Sequence, residues 1–176
     1  DQDLAGLGGD ARFIRHEARS AWYYPLAPQW TFMLGGTAGH AVGLGRDIRI
    51  NQRFFIGGRD IRGFELGGLG PRDITTNDSL GGNVYYTGSG ELTFPLPGMS
   101  DELGFLGAAF IDVGSLWDPD VSGPEVVDNR APRVSAGVGL SWKSPFGPIR
   151  LDFAYPIMKE DEDIDQIFNF NFGTRF

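Results

Sequence analysis

Phe168-Asn169-Phe170-Asn171-Phe172-Gly173-Thr174-Arg175-Phe176 is the stretch on which the reading of this chain turns. Phenylalanine occupies alternate positions from 168 to 172 and returns at 176, with Thr174 on the same face. Asn169, Asn171, Gly173 and Arg175 fall on the other face. A period of two marks a β-strand, because successive side chains leave opposite faces of the backbone. One face of this strand is aromatic and the other is polar and small.

The same alternation continues upstream. Ile149, Leu151, Phe153, Tyr155 and Ile157 oppose Arg150, Asp152 and Ala154. Val134, Ala136, Val138, Leu140 and Trp142 oppose Ser135, Gly137, Gly139 and Ser141. Noisier segments near 104–117, 82–95, 30–43 and 10–24 bring the expected strands to seven. In these, Phe110 and Asp112 share one face, as do Asn83, Tyr85, Thr87, Ser89 and Glu91, and as do Arg15, Glu17 and Arg19.

The connections carry a second signal. Pro25–Gln29 is short, Leu44–Gly81 very long, Pro95–Glu102 short to medium, Asp118–Pro132 long, Ser144–Gly147 tight, and Lys159–Asp165 intermediate and acidic. Long and short alternate, as they do in outer-membrane barrels, where periplasmic turns are short and outer loops long. A soluble sandwich or a lipocalin-like barrel would alternate along its strands too. Its solvent face, however, would be rich in Lys and Glu, whereas here the polar face is Gly, Ser, Asn and Thr. Trp22, Tyr24, Trp30, Trp117, Trp142 and Tyr155 lie near strand ends, which suits interfacial aromatic girdles. The expected fold is all-β, an antiparallel transmembrane β-barrel portion of about seven strands.

Composition narrows the function. The chain has no Cys, which excludes a disulfide scaffold, a thiolate metal site and a Cys nucleophile. A net charge of -8 disfavours nucleic acid, whose phosphates need cations. The best apolar run, Gly104 to Gly114, is broken by Asp112 and falls far short of the roughly 20 residues of a spanning helix. Asp1-Gln2-Asp3-Leu4 lacks the basic and apolar regions of a signal peptide, so a mature fragment, or a targeting segment further upstream, is expected. His16 and His40 read as isolated, without metal-ligand spacing. The run Glu160-Asp161-Glu162-Asp163 lacks the Gly and the spacing of a calcium loop and reads as a solvated acidic loop. There is no nucleophile motif and no phosphate-cradling loop. No enzyme activity, cofactor or metal is expected.

Several motifs in order carry a resemblance. Phe54-Phe55-Ile56-Gly57-Gly58 precedes Ile61-Arg62-Gly63-Phe64, and Gly70-Pro71-Arg72 follows. Then come Gly81-Gly82-Asn83, Glu91-Leu92-Thr93-Phe94-Pro95, Phe110-Ile111-Asp112-Val113-Gly114-Ser115-Leu116-Trp117, Ser135-Ala136-Gly137-Val138-Gly139, Ser144-Pro145-Phe146-Gly147-Pro148, Tyr155-Pro156 and the final Phe176. Across roughly residues 10–176 this resembles the BamA superfamily of outer-membrane β-barrel assembly proteins, the bacterial surface antigen family.

The resemblance implies that residues 1–176 are the C-terminal part of a barrel domain, the last strands of a barrel of about 16 with periplasmic POTRA domains upstream. It implies a bacterial outer-membrane location and a protein that folds and inserts β-barrel clients. A polypeptide-secreting transporter of the same superfamily and a small stand-alone structural barrel are the alternatives. Loop 44–81 would be extracellular and fold back so that Arg62 meets the barrel wall at Glu91, Phe110 and Asp112. Alternation puts Glu91 and Asp112 on the polar face, where a guanidinium can bridge carboxylates. Gly57, Gly58 and Gly63 would permit the tight loop backbone. Phe168, Phe170, Phe172 and Phe176 resemble the C-terminal assembly signal, which would double as one side of a lateral seam. The implied partners are outer-membrane lipid, nascent β-barrel clients and assembly-machinery lipoproteins docking on the periplasmic domains. An isolated seven-stranded sheet leaves costly edges. The chain alone is therefore not expected to close as a seven-stranded monomer, since such a small barrel would have to expel loop 44–81; pairing with another copy or an extra strand from residues 1–9 is the expected solution.

Overall fold

A computed structural model describes residues 2–5, 13–100, 103–145 and 147–172. The main sheet is entirely antiparallel. Its strands are β1 (Gln2–Ala5), β2 (Phe13–Ala27), β3 (Trp30–Gly43), β6 (Val84–Pro95), β7 (Phe105–Trp117), β9 (Arg133–Ser144), β10 (Gly147–Met158) and β12 (Phe168–Phe172), side by side in that order. Four two-residue strands lie in the connections: β4 (Gly63–Phe64), β5 (Arg72–Asp73), β8 (Val126–Val127) and β11 (Asp165–Gln166). A 3-10 turn spans Ile50–Gln52. Each long strand pairs with its neighbour in sequence, as a meander requires, and among the described residues β12 does not pair with β1 or β2.

Seven strands match the expected ones and β1 is an eighth, running antiparallel to the start of β2 with Leu4 opposite Ile14. β2 continues to Ala27 rather than ending at Tyr24, and the hairpin turns at Pro28 and Gln29, with Gln29 at φ 64°. Pro25 does not end the strand because the ladder slips between Pro25 and Ala27, and a bulge tolerates the missing N–H. Gly173 to Phe176, and with them the expected signal residue Phe176, lie outside the described residues.

Period-two patterning gives the sheet two unlike faces. On one face Trp22, Leu34, Phe153, Tyr155, Phe168, Phe170 and Phe172 are each about half exposed or more. On the other, Glu91, Phe110, Asp112, Asp152, Ala154 and Asn169 are buried. A sheet that shows aromatic and aliphatic side chains outward and hides carboxylates inward is inverted relative to a soluble protein, and this is how a lipid-facing barrel wall distributes its residues.

The connection from 44 to 83 covers the inner face rather than leaving it. Ile48, Phe54, Ile56, Ile61, Phe64 and Leu69 from this loop pack with Ala41, Tyr85 and Leu116 of the wall to form the hydrophobic core. Ile61, Phe64 and Leu69 are fully buried, and each such side chain contributes about 1.5–3 kcal/mol. Expulsion of the loop is the expectation only for a closed seven-stranded barrel, and here the sheet stays open among the described residues with the loop on its inner face. Its apolar side chains have no better place to go, and an open sheet leaves more room inside than a closed small barrel would.

Candidate functional site: the loop arginine and its carboxylates

Arg62 stands at the tip of the loop that folds across the inner face. Gly63 follows it at φ +95°, a region L side chains rarely adopt, and a Cβ there would stand 3.2 Å from that of Ser135. Glycine thus lets the chain turn tightly while lying on the wall. Phe64 then drives into the core, so the motif Ile61-Arg62-Gly63-Phe64 sets two apolar anchors on either side of a guanidinium.

All three guanidinium nitrogens donate hydrogen bonds. Nε donates to Asp112 Oδ2 at 2.7 Å, Nη2 to Asp112 Oδ1 at 2.8 Å, and Nη1 to Glu91 Oε2 at 2.6 Å. Nη2 also donates to Ser89 Oγ at 3.1 Å, and the Arg62 backbone N–H donates to Asp112 Oδ2 at 3.1 Å. Ser89 in turn donates its hydroxyl to Asp112 Oδ1. Phe110 lies flat beneath, its ring centroid 3.4 Å from Arg62 Cζ, a cation–π contact. Glu91 and Phe110 are direct partners across β6 and β7, as are Ser89 and Asp112, so the strand register alone brings the four together. Burial works to lower the Arg62 pKa, but hydrogen bonds and charge from Asp112 and Glu91 outweigh it and raise the pKa, keeping the group a cation.

A second arginine completes the cluster. Arg150 on β10 donates Nη1 to Glu91 Oε1 at 2.8 Å and Nη2 to Glu91 Oε2 at 2.7 Å, while its Nε reaches both Asp152 oxygens at 2.9 and 3.0 Å. Asp152 also lies 3.8 Å from Arg62 Nη1. Two guanidiniums therefore share three carboxylates drawn from β6, β7 and β10. Sequence reading missed Arg150, although its face was legible from the alternation of β10. The cluster borders an inner cavity of about 370 Å³ that reaches Asn171 of β12.

Other arginines fix the surrounding loops. Arg53 donates to Ile48 O and Leu80 O, both at 3.0 Å, clasping the two ends of the long loop. Arg72 donates to Asn77 O and Gly67 O. Arg133 and Asp163, each 2% exposed at the side chain, pair at 2.9 Å and fasten the acidic connection 159–165 to the start of β9. So Asp163 is no solvated residue, because burial beside Arg133 demands the pair. β4 pairs with β11, placing Gly63 opposite Gln166 and Phe64 opposite Asp165, and Ile164 N–H donates to Gly68 O at 2.7 Å. The backbone of the motif is thus stitched to the segment that enters β12.

On β12, Phe168, Phe170 and Phe172 point outward with 47%, 58% and 58% exposure, and Asn169 points inward. Strand β10 pairs one edge of β12, from Ile149 opposite Phe172 to Phe153 opposite Phe168. Its other edge has no strand partner among the described residues. His16 and His40, which read as isolated, are direct partners across β2 and β3. Their proximity depends on hairpin register, which sequence spacing does not show.

A sheet with lipid-type outer faces and a long loop returning an Arg to paired carboxylates inside is the architecture that the motifs anticipated. The Omp85 superfamily domain model matches residues 1–176. The chain belongs to the Omp85 superfamily. Among curated proteins it is 36% identical over 162 residues to outer membrane protein assembly factor BamA of Neorickettsia risticii, covering 91% of this chain and 22% of that protein. It is 34% identical to BamA of Neisseria meningitidis serogroup B, covering 99% and 25%. A SAM50-like protein of Schizosaccharomyces pombe is 31% identical, covering 92% and 36%. The fold matches the crystal structure of BamA from Haemophilus ducreyi lacking POTRA domains 1–3 with a TM-score of 0.84 and 27% identity, over 95% of this chain and 36% of that one. The chain thus spans about a fifth to a third of the relatives it matches. This Omp85 segment is part of an outer-membrane β-barrel, as its inverted faces require.

Proposed function

We propose that the chain supplies the C-terminal part of the barrel of an outer-membrane assembly factor that folds and inserts β-barrel proteins. The observation that carries this is the loop arginine seated on Glu91, Asp112 and Phe110 within an Omp85 wall, joined to relatives named as assembly factors. In this reading residues 44–81 are an extracellular loop folded into the lumen, and the ion cluster holds the wall strands β6, β7 and β10 in one arrangement. The final strand works as one side of a seam. The edge of β12 away from β10 would offer backbone N–H and C=O groups to a client strand, and alternate outward aromatics fit the lipid beside it, which is β-augmentation in a bilayer. No bond is made or broken, so no cofactor is required. Assembly-machinery lipoproteins would dock on POTRA domains of the longer protein.

Cysteine pairs test the seam. In the full-length protein, a cysteine placed at Asn171 is expected to crosslink to the final strand of a stalled client, and one placed on β7 at Ala109 is not. Equal crosslinking at both positions, or none at either while clients still assemble, overturns the proposal.

A further inference from the structure

The chain holds two histidines, and the β2–β3 ladder sets them face to face. His16 and His40 are register partners, so their Cβ atoms stand about 4.5–5.5 Å apart with both side chains on one face. Both are exposed. They share the parity of Trp22 and Tyr24 on β2 and of Phe32 and Leu34 on β3, which places them on the outer, lipid-type face. Each lies three residues from the strand end that carries the long loop. At about 3.4 Å per residue this is roughly 10 Å below the rim, at the height where an interfacial girdle sits.

Among the described residues the ladder neighbours of the pair on β2, β3 and β6 are uncharged. Ile14 and Val42 form the row above the pair and Ala18 and Ala38 the row below. Val84 lies beside His40, and Trp117 beyond Val84. Arg15 and Glu17, adjacent in sequence, project to the opposite face, where Arg15 covers the Phe54 ring at 3.9 Å. Arg130 stands over the Trp117 ring at 5.9 Å, and Trp117 is two strand spacings from His40, or about 10 Å. Among the described residues neither imidazole makes a hydrogen bond or an ion pair. A groove of about 520 Å³ runs along the pair, bounded by Tyr86 and Trp117.

Facing imidazoles offer ring nitrogens as lone-pair donors to a metal ion. We propose that His16 and His40 form a two-imidazole site for a divalent transition metal of the Zn²⁺ and Cu²⁺ class at the lipid–water boundary under the long loops. Imidazole nitrogens bind such ions at about 2.0–2.1 Å, and rotation about χ1 and χ2 brings two facing rings to one ion. No third His, Cys, Asp or Glu joins them among the described residues, so water fills the remaining positions. Within the Irving–Williams order Cu²⁺ binds such a pair best.

The test is a Cu²⁺ titration of the purified protein in detergent micelles, followed by electron paramagnetic resonance. The parent should bind one ion with hyperfine coupling to two imidazole nitrogens. His16→Gln and His40→Gln should each weaken binding by roughly 10²-fold, the lower end of the gain from linking two ligands on one scaffold. Both positions are exposed, and heat-modifiable gel mobility confirms that the variants fold. Unchanged affinity in either variant, coupling to fewer than two nitrogens, or full binding by the double variant overturns the proposal.

Discussion

Removing the Arg62 side chain should not affect its two main acceptors equally. Glu91 keeps Arg150, whose Nη1 and Nη2 hold both carboxylate oxygens. Asp112 is 1% exposed and among the described residues keeps the Ser89 hydroxyl and the backbone N–H of residue 62, neither of them a cation. Breaking one partner out of a buried ion pair costs about 3–5 kcal/mol, because the remaining charge is stranded. Arg62→Ala should therefore destabilise the folded barrel by about that amount. Asp112→Asn added to it should recover part of the loss, since it removes the stranded charge. In a double-mutant cycle the Arg62–Asp112 coupling should reach about 2–3 kcal/mol, near the upper end for residues in one network, and the Arg62–Glu91 coupling should be about 1 kcal/mol. The assay is urea-induced unfolding from lipid vesicles, read by tryptophan fluorescence and gel mobility. Equal couplings for the two pairs, or an Asp112→Asn cost that is the same with and without Arg62, would refute the reasoning.

Arg150→Ala should destabilise the same barrel less than Arg62→Ala, because Glu91 and Asp152 both retain Arg62 within 4 Å; vesicle unfolding compares the two. Asp163→Ala strands the buried Arg133 and should cost about 3–5 kcal/mol, with protease sensitivity appearing first in 159–165. Gly63→Ala should cost about 1–3 kcal/mol from the φ of +95°, and hydrogen exchange should show faster opening at Gln166, its partner across β4 and β11.

How much of this was written in the sequence depends on period and length. Long strands such as β9 and β10 announce themselves, since Val138 and Phe153 alternate with Gly139 and Asp152 over a dozen residues. The faces of Glu91 and Asp112 followed from the same alternation. Two-residue strands such as β4 and β11 have no period to detect, and only tertiary pairing creates them. The register of the β2–β3 hairpin was equally hidden. Pro25 looked like a stop, yet a bulge carries the strand to Ala27, and this shift places His16 against His40. The partners of Arg53, Arg72 and Arg133 left no mark in the sequence, because their acceptors are backbone carbonyls and one distant carboxylate.

The most direct test reconstitutes the full-length protein in liposomes and follows the folding of a urea-unfolded outer-membrane β-barrel client by gel mobility. Client folding should be faster than in empty vesicles, with most of the acceleration lost in Arg62→Ala at equal reconstituted amounts. Client folding at the empty-vesicle rate, together with passage of an unfolded polypeptide across the same membrane, would contradict it and identify a secretion channel instead.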